Sequence, residues 1–125
     1  MKKTILPLIL AAVWISISEF VRNTFLIRSY WIDHYQKLGL IFPEQGINGA
    51  VWGIWSLSFS FVLFFLAKKF TLVETVLLGW VIGFLLMWLV IGNLGVLPYR
   101  ILPLAVPLSM LEVYVAVFIV KKFSQ

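Results

Sequence analysis

Four apolar runs, each long enough to cross a lipid bilayer as a helix, constrain this chain more than any other feature. They cover about residues 4–27, 47–67, 72–92 and 101–120, and a helix needs about 20 apolar residues to span the hydrocarbon core. The composition agrees, because 62% of the residues are hydrophobic and 12% are charged, whereas soluble domains are about half apolar and a quarter charged. The sequence therefore predicts an all-α integral membrane protein, a single domain over 1–125 folded as a bundle of four transmembrane helices.

Positive charge marks one end of the predicted bundle. Three Lys-Lys pairs, at 2–3, 68–69 and 121–122, fall before the first span, between the second and third, and after the fourth. Cytoplasmic loops of membrane proteins are rich in Lys and Arg, so this distribution predicts a bacterial inner-membrane protein with both termini in the cytoplasm. It also accounts for most of the net charge of +5, and we expect no nucleic-acid partner.

The connection between the first two spans is polar and aromatic, and reads "RSYWIDHYQKLGLIFPEQG" over 28–46. Tyr and Trp favour the membrane–water interface, so we expect a short interfacial helix over about 30–39 that ends near Gly39. On this helix, Asp33 and His34 are candidates for an acid–base pair at the outer surface. Such a pair would suit an enzyme that acts on lipids.

One face of each span carries small or polar residues at helical spacing. Lipid gives helices no hydrophobic reason to associate, and close packing through small residues takes its place. We therefore expect Gly49 and Gly53 in span two, and Gly79 and Gly83 in span three, to be helix-packing positions. The corresponding faces of spans one and four are Ala12, Ser16, Glu19 and Asn23, and Ala105, Ser109, Glu112 and Ala116.

Four strongly polar residues, Glu19, Arg22, Asn23 and Glu112, lie inside the predicted spans. An ionised side chain at the bilayer centre costs about 3 kcal/mol or more, so each should face the interior and find a partner. Arg22 follows Glu19 by one turn, and we expect it to pair with Glu19 or to reach the outer interface. Asn23 lies on the small-residue face and can bridge to another helix.

The two glutamates are not expected to touch. At about 1.5 Å of rise per residue, Glu112 should lie roughly 10 Å nearer the Lys-Lys end of the bundle than Glu19. Glu112 also has no cation near it in the sequence. It is therefore the better candidate for a side chain that exchanges a proton.

Three function classes stay open. The preferred interpretation is an accessory or assembly protein in which the buried polar residues clamp the helices together. The alternatives are a small proton- or cation-linked transporter or channel that uses Glu19 and Glu112, and a lipid-modifying enzyme at the outer interface. The absence of cysteine and the presence of one histidine argue against a metal site, and no cofactor is expected. The expected partners are the bilayer and either a second copy of the chain or another membrane subunit.

The segment "YWIDHYQKLGLIFPE", Tyr30 to Glu44, follows a polar-ended first span and precedes three closely spaced spans. In this layout, and in the Leu-Gly-Leu at 38–40 followed by an acidic residue, the chain resembles the DUF1761-type family of small four-span bacterial membrane proteins. The resemblance implies a four-span membrane fold. It implies no particular activity, because the function of that family is uncharacterised.

Overall fold

The computed structural model describes residues 2–124 as a bundle of helices. Four of these helices are long and apolar enough to cross a membrane, and they are called here spans one to four. They cover Lys2–Leu26, Gly46–Lys69, Leu72–Asn93 and Tyr99–Phe123. A shorter helix, the connecting helix Arg28–Lys37, lies between spans one and two. The predicted all-α, four-span bundle is confirmed, with boundaries that differ from the expected ones by a few residues.

Two spans change from α-helix to π-helix partway along their length. Span one is α-helical over Lys2–Val21 and π-helical over Arg22–Leu26. Span three has a π-helical segment at Val81–Leu85. The two segments meet, because the Arg22 guanidinium lies 5.5 Å from the centre of the Phe84 ring. Short π-helical segments are rare, and those that occur are often found at functional sites.

The end of the bundle that carries the Lys-Lys pairs, called the lysine end, is closely packed. Gly79 and Gly83 of span three lie directly against span two. An added Cβ at Gly79 would collide with the side chain of Leu63, and one at Gly83 would lie 2.6 Å from ring atoms of Phe59. Lys121 Nζ closes this end by donating hydrogen bonds of 2.9 Å to two main-chain carbonyls at the end of span two, those of Ala67 and Phe70.

Span two diverges from the bundle toward the opposite end, called the aromatic end. Its buried residues all lie within 56–64, and no residue of 46–54 is buried. Gly49 and Gly53 have no atom of another element within 4 Å of the Cβ position. The packing role that we expected for Gly49 and Gly53 is therefore absent from this bundle, since their half of span two stands away from its neighbours.

The connecting helix covers the aromatic end and is fixed at two points. Arg28 donates hydrogen bonds of 2.6 and 3.0 Å to the carboxylate of Glu44, just before span two. His34 Nε2 donates to the carbonyl of Gly95, between spans three and four, at 2.8 Å. The helix ends close to the predicted place, and Gly39 follows with a φ of 74° that favours glycine.

Candidate functional site

Glu19, Arg22 and Glu112 form a buried charge cluster that joins spans one and four. Arg22 Nη2 lies 2.7 Å from Glu19 Oε2, and Arg22 Nη1 lies 3.2 Å from Glu112 Oε1. The exposed fractions of the three residues are 4%, 5% and 0%. Arg22 pairs with Glu19 as its spacing suggested, but it does not reach the interface. One guanidinium is instead shared between two carboxylates from different helices.

The direction of side chains on a helix explains how Arg22 reaches both carboxylates. Side chains tilt toward the N-terminus of their helix, so Arg22 extends back along span one toward the lysine end. The relative position of the two spans is fixed nearby, because Trp14 Nε1 donates a 2.9 Å hydrogen bond to the main-chain carbonyl of Glu112. The carboxyl groups of Glu19 and Glu112 lie close enough to share a hydrogen bond when one of them is protonated. The separation of roughly 10 Å in depth that we expected therefore does not keep them apart. Glu112 has no cation near it in the sequence, and its cationic partner, Arg22, comes from span one.

Asn23 contacts its own helix and does not bridge to another one, contrary to expectation. Its Nδ2 donates to Glu19 Oε2 at 3.0 Å and to the main-chain carbonyl of Glu19 at 2.9 Å. Oε2 of Glu19 therefore accepts from both Arg22 and Asn23. The Glu112 carboxylate accepts the longer bond from Arg22, and the Ser18 side chain lies beside it. The two carboxyl groups are unequally supplied with donors.

Each carboxyl group keeps one buried oxygen without a protein partner. Among residues 2–124, neither Glu19 Oε1 nor Glu112 Oε2 has a hydrogen-bond partner. With all three groups ionised, two negative charges face one positive charge, and an uncompensated buried charge is strongly destabilising. One bound proton, or one cation, would balance the cluster.

A cavity of about 420 Å³ opens from this cluster toward the aromatic end. Its polar floor is Glu19, Arg22 and Asn23, whereas Glu112 is not among its lining residues. Cavities of this size take drug-sized molecules. The walls are mostly apolar. Their aromatic side chains are Trp31, Tyr35 and Phe42 from the connecting segment, Trp52 and Trp55 from span two, and Phe84 and Trp88 from span three.

A second opening reaches Glu19 from the other side of span two. This groove of about 310 Å³ lies between spans one and two and is lined by Ser16, Thr24, Gly49 and Gly53, among others. Glu19 also lines this groove, as it lines the larger cavity. Ser16, Gly49 and Gly53, from the faces predicted to pack, border this open groove.

Asp33 and His34 lie together at the aromatic end but do not form the acid–base pair that we considered. Within the part of the chain that the structure describes, no hydrogen bond or ion pair joins the two side chains. Because a carbonyl only accepts, the His34 Nε2 that faces the Gly95 carbonyl must carry a proton. The residues border a separate cavity of about 560 Å³.

Sequence reasoning missed two residues that shape the site. Trp14 fixes the depth of Glu112, and Phe84 places its ring beside Arg22. A signal for Trp14 was available, because an indole N–H inside a membrane needs an acceptor. For Phe84 there was no local signal, since its position depends on the π-helical segment of span three.

No protein-family model, curated protein or solved structure matches this chain. The resemblance to DUF1761-type proteins therefore stays a prediction. What the chain does has to be argued from the charge cluster and the cavities beside it.

Proposed function

We propose that this protein is a small proton-linked carrier of a bacterial inner membrane. The observation that supports it best is that Arg22, at the floor of a cavity, is shared between two buried carboxylates. Intramembrane ionisable residues of this kind commonly mark ion pathways or proton relays. A cluster with one carboxylate more than it can neutralise is suited to hold a proton that leaves when another cation arrives.

The unequal hydrogen bonding assigns different roles to the two glutamates. Glu19 Oε2 accepts from both Arg22 and Asn23, which supports the ionised form of Glu19. Glu112 has one longer bond from Arg22 and an unpartnered oxygen, so we assign it the exchangeable proton. Arrival of a cation at Glu19 would release that proton and leave the total charge of the cluster unchanged.

The lysine end is assigned to the cytoplasm. The Lys-Lys pairs at 2–3, 68–69 and 121–122 flank the ends of the spans on that side, as the positive-inside rule requires of cytoplasmic loops. Under this assignment the aromatic cavity faces the outside of the cell. A solute from that side would meet Glu19 before Glu112.

An accessory or assembly protein with a polar clamp is the second candidate. The observation that favours it is that Arg22 and Trp14 both tie span one to Glu112 of span four. The open face of span two at Gly49 and Gly53 would then receive a second copy or another membrane subunit. In this alternative the proton on the cluster stays in place.

Infrared difference spectroscopy of the protein in liposomes separates the two candidates. Under the carrier proposal, a change of pH alters a carboxyl band in the wild type, and Glu112→Gln removes that change. Glu74→Gln is the matched control, because Glu74 belongs to the first turn of span three and Gln also completes a capping box there. A pH-dependent carboxyl signal that is the same in the wild type and in Glu112→Gln would overturn the carrier proposal and leave the clamp.

Proton release provides a second test that needs no identified solute. Sodium, potassium or tetraethylammonium is added to purified protein in weak buffer with a pH indicator. Release of up to one proton per chain by at least one of these probes is expected for the wild type, and none for Glu112→Gln. Equal release from both proteins would contradict the role assigned to Glu112.

A further inference from the structure

The cavity that Asp33 and His34 border lies away from the charge cluster, at the aromatic end. It occupies about 560 Å³ between the connecting helix and the turn that begins span four. Tyr30, Asp33 and Lys37 come from one face of the helix, at spacings of three and four residues. Tyr99 and Arg100 come from the turn. Two parts of the chain that are distant in sequence therefore build this cavity.

Hydrogen bonds hold both walls of the cavity in place. On the helix side, the imidazole of His34 is bonded to the carbonyl of Gly95 at 2.8 Å. On the turn side, the Tyr99 hydroxyl donates to the carbonyl of Gly92 at 2.9 Å. Both acceptors belong to the end of span three and the loop after it. The two walls are thus anchored to the same short segment.

The charged residues of this cavity are not used within the fold. Lys37, Arg100 and Asp33 line it, and within residues 2–124 none of the three takes part in an ion pair. Nearby, Arg28 and Glu44 form an ion pair of 2.6 Å, so exposure alone does not prevent pairing at this end. Two cations and one carboxylate remain available to a ligand.

Apolar side chains beside the cavity indicate where it lies relative to the bilayer. Leu38 and Leu40 come one and three residues after Lys37 and are 45% and 50% exposed. Leu94, which is 67% exposed, precedes the Gly95 that bonds His34. Such side chains are stabilised by contact with acyl chains, and Tyr side chains favour the adjacent interface. The cavity therefore lies at the depth of the lipid headgroups.

We propose that this cavity binds the headgroup of a zwitterionic phospholipid of the phosphatidylethanolamine class. Arg100 and Lys37 supply donors for the phosphodiester, since guanidinium and ammonium groups form charge-assisted hydrogen bonds with phosphate. Asp33 accepts from the ammonium of the ethanolamine. The inference is independent of the carrier proposal, because the charge cluster shares no residue with this cavity.

Lipid binding to the purified protein, measured by native mass spectrometry, tests this site. Phosphatidylethanolamine and phosphatidylglycerol are titrated separately. Arg100→Gln is expected to weaken both by about ten-fold, the loss of one charge-assisted hydrogen bond. Asp33→Asn is expected to weaken phosphatidylethanolamine several-fold and to leave phosphatidylglycerol unchanged. Lys68→Gln, at the lysine end, is the matched control and should bind both lipids as the wild type does.

Three results would overturn the proposal. The first is unchanged binding in Arg100→Gln, and the second is an equal loss in Lys68→Gln. The third is displacement of the lipid by inorganic phosphate at the same concentration, which would indicate a site for free phosphate. Arg100 and Asp33 are exposed, so both variants should unfold at the wild-type temperature, and that measurement excludes a folding defect as the cause.

Discussion

The lysine end and the aromatic end of this bundle are built from similarly apolar helices but are stabilised in different ways. At the lysine end, glycines of span three admit side chains of span two, and one lysine binds two carbonyls. At the aromatic end, span two diverges, and cavities separate the helices. The contrast indicates that close packing stabilises one half of the molecule, while the cavities beside the charge cluster lie in the other.

The lengths of the connections account for part of this difference. Only Phe70 and Thr71 separate spans two and three at the lysine end, and Thr71 and Glu74 cap span three with bonds of 3.2 and 3.0 Å. At the aromatic end, spans one and two are joined by a helix and an irregular segment over 38–45. A short connection keeps two helices together, whereas a long one lets them separate.

Removing the Arg22 guanidinium from the charge cluster should have the largest effect on stability. Arg22→Met leaves two buried carboxylates without their shared donor, and breaking a buried pair typically costs about 3–5 kcal/mol. The free energy of unfolding in mixed detergent micelles would show this loss. The triple variant Arg22→Met, Glu19→Gln, Glu112→Gln should recover most of it, because the charges are then gone together. A single variant as stable as the wild type would show that the cluster does not join the spans.

Adding a methyl group to glycines of the same motif should affect stability differently in the two halves of the molecule. Gly83→Ala places a Cβ 2.6 Å from the Phe59 ring, and overpacking of this kind costs about 1–3 kcal/mol. Gly53→Ala meets nothing within 4 Å, and alanine is the better helix former by about 1 kcal/mol. Unfolding in the same micelles should therefore show a loss for Gly83→Ala and none for Gly53→Ala. Equal losses would mean that span two is closely packed along its whole length.

The lysine closure should contribute a smaller amount. Lys121→Met removes both hydrogen bonds to the end of span two, and we expect a loss of about 1 kcal/mol after allowing for partial exposure. Lys122→Met is the control, because Lys122 carries the same charge one position further on and lies over the Phe118 ring at 5.9 Å. The same unfolding measurement compares them. An equal loss in both would assign the effect to net charge at this end.

The exposed pair at the aromatic end should have the smallest effect on global stability. The Glu44 carboxylate, through its hydrogen bond and its charge, raises the pKa of the Arg28 guanidinium. Because Arg28 then stays charged at every accessible alkaline pH, the pair should be sensitive to salt and insensitive to rising pH. Arg28→Gln is expected to leave the unfolding temperature unchanged and to speed hydrogen exchange over 38–45. Unchanged exchange would mean that the pair does not restrain this segment.

Much of the fold could be predicted from the sequence, because length and apolarity define the spans. The buried face of span four was also predictable. Its small and polar residues repeat at helical spacing, and all four are at most 1% exposed: Ala105, Ser109, Glu112 and Ala116.

The face of span one was predicted about one residue out of register. Ala11 and Ile15 are fully buried with Glu19 and Arg22, whereas Ala12 and Ser16 are only partly buried. Span one packs against two neighbours, spans two and four, so its buried face is centred between them. A stripe of small residues on a single sequence cannot show where that centre lies.

Identical glycine motifs also led to different structures in spans two and three. The spacing of Gly49 and Gly53 equals that of Gly79 and Gly83, yet only the second pair is closely approached. A small-residue motif permits close approach but does not require it, and the divergence of span two decides the outcome. The joining of Glu112 to Arg22 was hidden for a similar reason, because it depends on the relative depth of two antiparallel helices.

Because span two packs closely against its neighbours only toward the lysine end, it can pivot there. The pivot point is the lysine end, where the two-residue connection to span three and the hydrogen bonds of Lys121 hold span two in place. The half of span two nearer the aromatic end carries Trp52, which borders both the aromatic cavity and the groove between spans one and two. A movement of this half of span two toward one of the two openings narrows that opening and widens the other. Glu19 would then be reached through one opening at a time.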